Sequence, residues 1–160
     1  MISRFAISAS ILLASLPVNL ASDAARPSQE DDIREAVFRY QFDHNGSGLQ
    51  RRAHAYCLAV RVGEKETGPS DQFIKRFRPH KPPVRKASAC HWEEIQVVEN
   101  RWGKPALIFF VSKINWVSDT EVTVNGGYRE GNMSSSGCSY TVRKEDGAWT
   151  IAASGACVMS

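Results

Sequence analysis

Residues 106–114 have the sequence ALIFFVSKI, in which β-branched and aromatic side chains predominate. Such a run is a poor helix former and is long enough to cross a sheet as a central, largely buried strand. Residues 121–124 then alternate polar with apolar, as a half-buried strand does, and residues 139–143 and 149–152 flank the tripeptide Glu145-Asp146-Gly147. Because the glycine of this tripeptide can adopt a positive φ, we predict consecutive antiparallel strands closed by a tight hairpin.

The length and composition of the chain suit one globular domain. It has 160 residues, of which 42% are hydrophobic, enough to bury a core without a metal or a second copy. We therefore predict a single α+β domain over residues 25–160, preceded by a segment of a different kind.

Residues 1–24 have the pattern of a secretory signal peptide. A basic residue near the start is followed by an apolar run over residues 5–16, a proline and small side chains before Ala24. We expect cleavage after Ala24, with Ala21 and Ser22 as alternative last residues of the peptide. The apolar run is short for a membrane span, and no other segment is apolar enough to be one. A retained hydrophobic helix that tethers the domain to a membrane is the alternative interpretation.

The chain contains four cysteines, all after the predicted signal peptide: Cys57, Cys90, Cys138 and Cys157. An even number in an exported chain suggests two disulfides, and the spacing lacks the paired C-x-x-C of a structural zinc site. A hairpin that turns at Asp146-Gly147 brings Cys138 close to Cys157, and the pair Cys57–Cys90 follows by elimination. Buried free thiols in a chain that is not exported are the alternative.

The formal net charge is +3 and the calculated pI is about 8.7. This modest basic excess suits attraction to anionic surfaces of the cell envelope and falls short of the charge typical of nucleic-acid binding. We therefore expect an anionic envelope component or a partner protein as the binding partner, and a periplasmic or secreted location.

The N-terminal half of the domain predicts helix, strand and helix. Ser28 caps a first helix whose apolar stripe includes Ile33, Val37 and Tyr40, and which ends before the glycines of residues 45–48. Residues 53–62 alternate as a strand.

A short second helix begins at Ser70-Asp71 and ends at Pro79, and residues 90–98 predict one further strand. Between them lies a basic, proline-rich segment, residues 75–86, whose prolines favour an extended and exposed backbone. Its cations form a candidate anion-binding ridge: Lys75, Arg76, Arg78, Lys81, Arg85 and Lys86. The alternative is an ordinary solvated loop.

No catalytic residue, metal ligand or cofactor is indicated by the sequence. The histidines lack the spacing of a metal-binding helix, and no G-x-S-x-G motif is present. A pocket on the concave face of a curved sheet would be lined by polar and aromatic side chains, for which the candidates are Tyr40, Asp43, Tyr56, Trp116, Asp119 and Tyr128. An Asp or Tyr there would serve as an acid or base; the alternative is that these rings fill the core.

The order of elements resembles the cone-shaped α+β roll of the nuclear-transport-factor-two-like and cystatin-like folds. More narrowly, Tyr56-Cys57-Leu58, Pro69-Ser70-Asp71, Gly126-Gly127-Tyr128 and Asp146-Gly147-Ala148-Trp149 resemble segments of small exported bacterial proteins of unknown function. The resemblance implies an N-terminal helix packed on a bent antiparallel sheet of about four to six strands. Members of the broader fold include isomerases, dehydratases and non-catalytic binding modules, and the matching segments bring no catalytic residue with them.

These observations favour a non-catalytic binding or interaction module of the bacterial cell envelope. A small-molecule isomerase or lyase that uses the concave pocket is the second hypothesis. A polar pair at the base of a deep pocket would favour the enzyme, whereas a filled cone with an exposed apolar or basic patch would favour the binding module.

Overall fold

The computed structural model of the chain describes residues 21–50, 52–62 and 65–159. Most of the predicted signal peptide, residues 1–24, lies outside these ranges, so it stays a prediction. In the described part, helices α1 (Ala21–Asp43) and α2 (Asp71–Lys75) pack on one mixed sheet of nine strands. The strands are β1 (Ala55–Val62), β2 (Lys65–Thr67), β3 (Val84–Lys86), β4 (Cys90–Glu93), β5 (Gln96–Glu99), β6 (Lys104–Ser118), β7 (Glu121–Gly131), β8 (Ser134–Glu145) and β9 (Ala148–Met159).

The sheet is larger than predicted, and it is not wholly antiparallel. Its order is β2-β1-β6-β5-β7-β8-β9, with a further pairing of β6 with β7. Strand β1 runs parallel to β6 on one side and parallel to β3 on the other. Strand β2 pairs antiparallel with the end of β1, on the same side as β3. The chain leaves β1, crosses through α2 and the strands β3 to β5, and returns as β6 in the same direction. Side-chain alternation is alike in parallel and antiparallel strands, so the sequence pattern contains no sign of this crossover.

The C-terminal meander confirms the hairpin prediction. Glu145 pairs with Ala148, so Asp146 and Gly147 alone form the turn, and their φ angles are 50° and 83°. Positive φ at both central residues is the signature of a type I′ turn, whose twist matches that of the flanking strands.

Both predicted disulfides are present. Cys138 and Cys157 face each other directly across β8 and β9 and are bonded. Cys57 of β1 is bonded to Cys90 at the start of β4, which fastens the β4–β5 hairpin to the central strand.

Helix α1 begins before the predicted start at Ser28, because the described chain is already helical at Ala21. The helix therefore runs through Pro27, a residue that is unfavourable inside a helix, and passes the local capping signal at Ser28. The predicted cleavage after Ala24 would fall within this first part of α1. No helix in the described ranges is long and apolar enough to cross a membrane.

Residues 90–98 form a hairpin and not the single strand predicted. Glu93 pairs with Gln96, and Glu94 at the turn has a φ of 52°. A turn of Glu94 and Ile95 contains no Gly, Pro or Asn, the residues that mark turns in a sequence. For that reason the sequence pattern predicts one strand here and not two.

Strand β1 separates two apolar clusters. Tyr56, Leu58 and Val60 face the helices, while Cys57 and Ala59 face the opposite side. On the helix side they meet the apolar stripe of α1, and on the other side the β4–β5 hairpin and part of β6 cover them. The central strand is therefore buried on both faces.

Two glycines that pair across β7 and β8 have opposite surroundings. Gly127 is paired with Gly137. A Cβ added at Gly127 would lie 1.8 Å from the carbonyl oxygen of Ser136, whereas one added at Gly137 would meet nothing within 4 Å. Strand pairing at this point therefore requires that residue 127 have no side chain, whereas residue 137 has room for one.

We therefore expect Gly127→Ala to lower the free energy of unfolding by at least about 2 kcal/mol, since backbone must move to relieve the contact. Gly137→Ala is the matched control and should change stability by less than about 0.5 kcal/mol. Chemical denaturation of the two variants tests this, and equal stabilities would contradict the observed packing.

An ion pair joins the two halves of the sheet on its outer face. The guanidinium of Arg129 in β7 donates to both carboxylate oxygens of Glu66 in β2, at 2.8 and 2.9 Å, and lies over the ring of Phe110. The hydrogen bonds from Arg129 hold the pKa of Glu66 below its ordinary value of 4.5. Its charged form is therefore favoured by folding.

Because the pKa of Glu66 is lowered in the folded state, its stabilising contribution is present above about pH 4.5 and is lost as the pH falls through the folded pKa. Glu66→Gln should lower the free energy of unfolding by about 0.5–1 kcal/mol at neutral pH and by nothing in acid. Denaturation curves across this pH range measure the difference. The exposed Glu93→Gln is the control, and a loss that persists in acid would show that charge is not the cause.

Candidate functional site

The interior between the helices and the sheet is filled by aromatic side chains. The ring of Phe42 lies 5.1 Å from Tyr56, 5.1 Å from Phe109 and 5.7 Å from Phe77, measured between ring centroids. Tyr56 and Phe109 are 4.8 Å apart, and all four rings are buried. The space where a deep concave pocket would lie is occupied by the protein itself.

The six predicted pocket residues are dispersed. Tyr56 belongs to the aromatic interior, and Trp116 is half-buried with its ring edge against Trp149 at 5.6 Å. Tyr40 stacks on His44, with ring centroids 4.1 Å apart.

Asp43 is exposed at the end of α1, and Asp119 is exposed in the turn between β6 and β7. Tyr128 lines the cavity described next, and within the described residues none of the other five joins it there.

That cavity lies between the end of α1 and strands β7 to β9. It has about 380 Å³ of empty space, including its open mouth. The polar groups at its wall come from Gln41, His44, Tyr128, Ser136 and Tyr140.

Gln41 is the deepest of these residues, with only 2% of its surface exposed. Its Nε2 donates to the carbonyl oxygen of Phe110 at 3.3 Å and approaches the Tyr140 hydroxyl at 3.5 Å. Its Oε1 has no hydrogen-bond partner among the described residues. Gly126 makes room for this amide, because a Cβ there would lie 2.6 Å from Nε2.

Sequence reasoning missed Gln41 and Tyr140. A signal for Gln41 existed, since it follows the buried Val37 by one helical turn and so places an amide on the apolar stripe. Tyr140 alternates correctly within its strand but has no feature that separates it from an ordinary core tyrosine.

Two of the six cations of the basic segment are neutralised by carboxylates. Arg76 Nη1 lies 2.7 Å from Asp32 and 2.9 Å from Glu35, which ties the end of α2 to α1. Lys86 Nζ lies 2.9 Å from Asp71. Arg76 and Lys86 are therefore engaged within the protein, and an anion-binding role of the six cations stays a prediction.

Three other cations converge on a groove. Lys75, Arg78 and Arg85 line a depression of about 460 Å³ between the turn after α2 and strand β3, and Ile74, Phe77 and Pro83 form its apolar wall. All three cations are exposed, and none belongs to an ion pair within the described part of the chain. Lys81 is exposed outside the groove. We call this depression, with Lys75, Arg78 and Arg85, the basic groove.

The backbone that carries Arg85 is not the free extended loop predicted. Residues Val84–Lys86 form β3, paired with residues 56–58 of β1, and Val84 is buried in the core. The pairing holds Arg85 at a defined place on the edge of the sheet.

Comparison with known proteins gives few relatives. No protein-family model and no curated protein sequence matches the chain. Among solved structures, the fold is similar to that of an NTF2-like protein of unknown function from Shewanella baltica OS155, with a TM-score of 0.40 and 14% sequence identity. The match covers 84% of this chain and 97% of that protein.

The two tyrosines at the cavity wall, Tyr128 and Tyr140, have raised pKa values. Burial raises the pKa of Tyr140 above its ordinary value of 10.0, and the hydrogen bond from Gln41 offsets this only in part. Burial also raises the pKa of Tyr128. Both phenols therefore remain protonated at neutral pH, and the Tyr140 hydroxyl accepts the hydrogen bond from Gln41 Nε2.

We expect Tyr140→Phe to remove a late step from the spectrophotometric titration of tyrosine, because this phenol ionises above pH 10. Since the folded pKa is raised, the associated stability is full below pH 10 and is lost as the pH rises through the folded pKa. Loss of an early titration step in the variant would contradict this.

Proposed function

We propose that the chain is an exported, non-catalytic binding module of the bacterial cell envelope, which recognises an anionic polymer through the basic groove. The observation that carries the proposal is the convergence on one groove of Lys75, Arg78 and Arg85, none of which forms an ion pair with a carboxylate of the described residues. Neighbouring cations of like charge repel one another, so an anion that lies between them is attracted by all three at once.

The groove also has an apolar side, which strengthens this attraction. Ile74, Phe77 and Pro83 displace water from one side of the charges, and the effective dielectric constant is lower there than at a flat surface. Two arginines among the three cations favour carboxylate or phosphate groups, which a guanidinium binds through two parallel hydrogen bonds.

The filled interior supports binding over catalysis. An isomerase or lyase of the kind proposed as the alternative would hold its substrate on the concave face, where Phe42, Tyr56 and Phe109 pack against one another. The cavity beside Gln41 is small, and its tyrosines are protonated at neutral pH and so are poor general bases.

The two disulfides support export. Bonds of this kind form and persist in oxidising compartments such as the bacterial periplasm. An anionic polymer of the envelope is a partner that the exported chain would meet at high concentration.

The test is binding of the purified mature chain to polyglutamate and to oligogalacturonate, two soluble polyanions, by titration calorimetry at several salt concentrations. We expect affinity to fall steeply with salt, since exposed charges are screened over about 10 Å at 0.1 M. Replacing Lys75, Arg78 and Arg85 with Ser should weaken binding at least about tenfold, with little change in thermal stability, because the charges are solvated.

The matched control replaces Arg61, Lys65 and Lys113 with Ser, which removes the same formal charge from exposed positions outside the groove. Binding by this variant should stay near that of the parent chain. Equal losses in both triple variants, or binding that salt does not affect, would overturn the proposal.

A further inference from the structure

A second cleft opens on the other side of Arg85. It has about 460 Å³ of empty space, and its wall includes His54, Glu99, Arg101 and Trp102. Arg85 and Pro83 line both this cleft and the basic groove, so the two depressions adjoin each other at β3. We call the second depression the Trp102 cleft.

Glu99 is the unusual residue of this cleft. Only 7% of its surface is exposed, although it is an acidic residue at the end of β5. Its Oε2 accepts one hydrogen bond, from the backbone N–H of Trp102 at 3.1 Å, and no other donor contacts the carboxylate within the described ranges. A buried carboxylate accepts several hydrogen bonds when it is fully satisfied, so this group has acceptor capacity left for a ligand.

Trp102 presents an aromatic surface beside that carboxylate. It is 58% exposed, and the guanidinium of Arg101 lies 4.7 Å from its ring centroid. The turn that carries it is fixed by two bonds to Glu99, one to the side chain from Trp102 N–H and one to the carbonyl oxygen from Gly103 N–H at 2.9 Å. The backbone of the turn is therefore fixed beside Glu99, and the Arg101 guanidinium lies over one face of the indole ring.

The cleft thus offers three kinds of contact. Glu99 accepts hydrogen bonds from hydroxyl groups, Arg85 and Arg101 bind anionic groups, and the indole of Trp102 packs against an apolar ring face. A sugar ring that carries a carboxylate offers all three kinds of contact in one unit: hydroxyl groups, an anion and a flat C–H face. An acidic peptide has the anion but lacks the ring of hydroxyl groups and the flat C–H face.

We infer that the Trp102 cleft binds an acidic sugar unit and that the ligand of the chain is an acidic polysaccharide, which crosses from the cleft into the basic groove over Arg85. The inference rests on the proposed function, because Arg85 serves both depressions. It goes beyond that function by naming the polymer class and by giving Trp102 and Glu99 a role in selecting it.

The test compares three probes: oligogalacturonate, polyglutamate of similar charge, and neutral dextran. The parent chain should bind oligogalacturonate more tightly than polyglutamate and should not bind dextran. Trp102→Ala should weaken oligogalacturonate binding about tenfold, the effect of losing one stacked ring, and leave polyglutamate binding unchanged.

Two variants serve as controls. Trp92→Ala removes a tryptophan that is 45% exposed in β4 and outside the cleft, and it should bind all probes like the parent chain. Trp102→Phe keeps an aromatic face, and its affinity for oligogalacturonate should lie between those of the parent and Trp102→Ala. Unchanged polyglutamate binding by both Trp102 variants excludes a general folding defect as the cause.

The outcomes separate the two proposals. If Trp102→Ala binds both polyanions like the parent, or if the parent prefers polyglutamate, the sugar inference is overturned while the basic groove stands. If the double variant Lys75→Ser with Arg78→Ser binds both polyanions like the parent, the proposed anion-binding role of the basic groove is overturned, whatever the result for Trp102. Selective loss of oligogalacturonate in Trp102→Ala supports the inference.

Discussion

The contact on which the rest of the fold depends is the meeting of Phe42, Tyr56 and Phe109. These rings come from α1, β1 and β6, and their centroids lie within 5.1 Å of one another. Aromatic pairs of this geometry each contribute about 0.5–1.5 kcal/mol beyond the area that they bury. They fasten the helix to the two parallel central strands, and in doing so they close the interior.

The aromatic interior also explains which predictions were correct. The apolar run of residues 106–114 and the alternation in β1 predicted buried strands, because apolar side chains at these spacings are the ones that a sheet buries. The Asp146-Gly147 turn and the disulfide between Cys138 and Cys157 are local consequences of one hairpin register. Features of this kind depend on neighbours in sequence, so they could be read from the chain.

The turn at Glu94 and Ile95 is a local feature that lacks the usual turn residues, whereas the other errors concern features that distant residues determine. Direction of β1 relative to β6 depends on the crossover, and pairing of β3 with β1 depends on residues far away in the chain. The basic segment was correctly recognised as a run of cations, but Asp32 and Glu35 lie far from Arg76 in sequence and neutralise it only in the folded state. Glu99 and Trp102 were unremarkable in the sequence, because their meaning comes from the cleft around them.

Edge strand β3 shows how the sheet fixes the position of part of the basic segment. Its register with β1 places Val84 opposite Tyr56 and Arg85 opposite Cys57. Successive residues of a strand point to opposite faces, so burial of Val84 in the aromatic core requires Arg85 to lie outside it. A slip of one residue would bury the guanidinium and expose the valine, which desolvation of the charge forbids. The packing that closes the interior therefore also holds Arg85 between the basic groove and the Trp102 cleft.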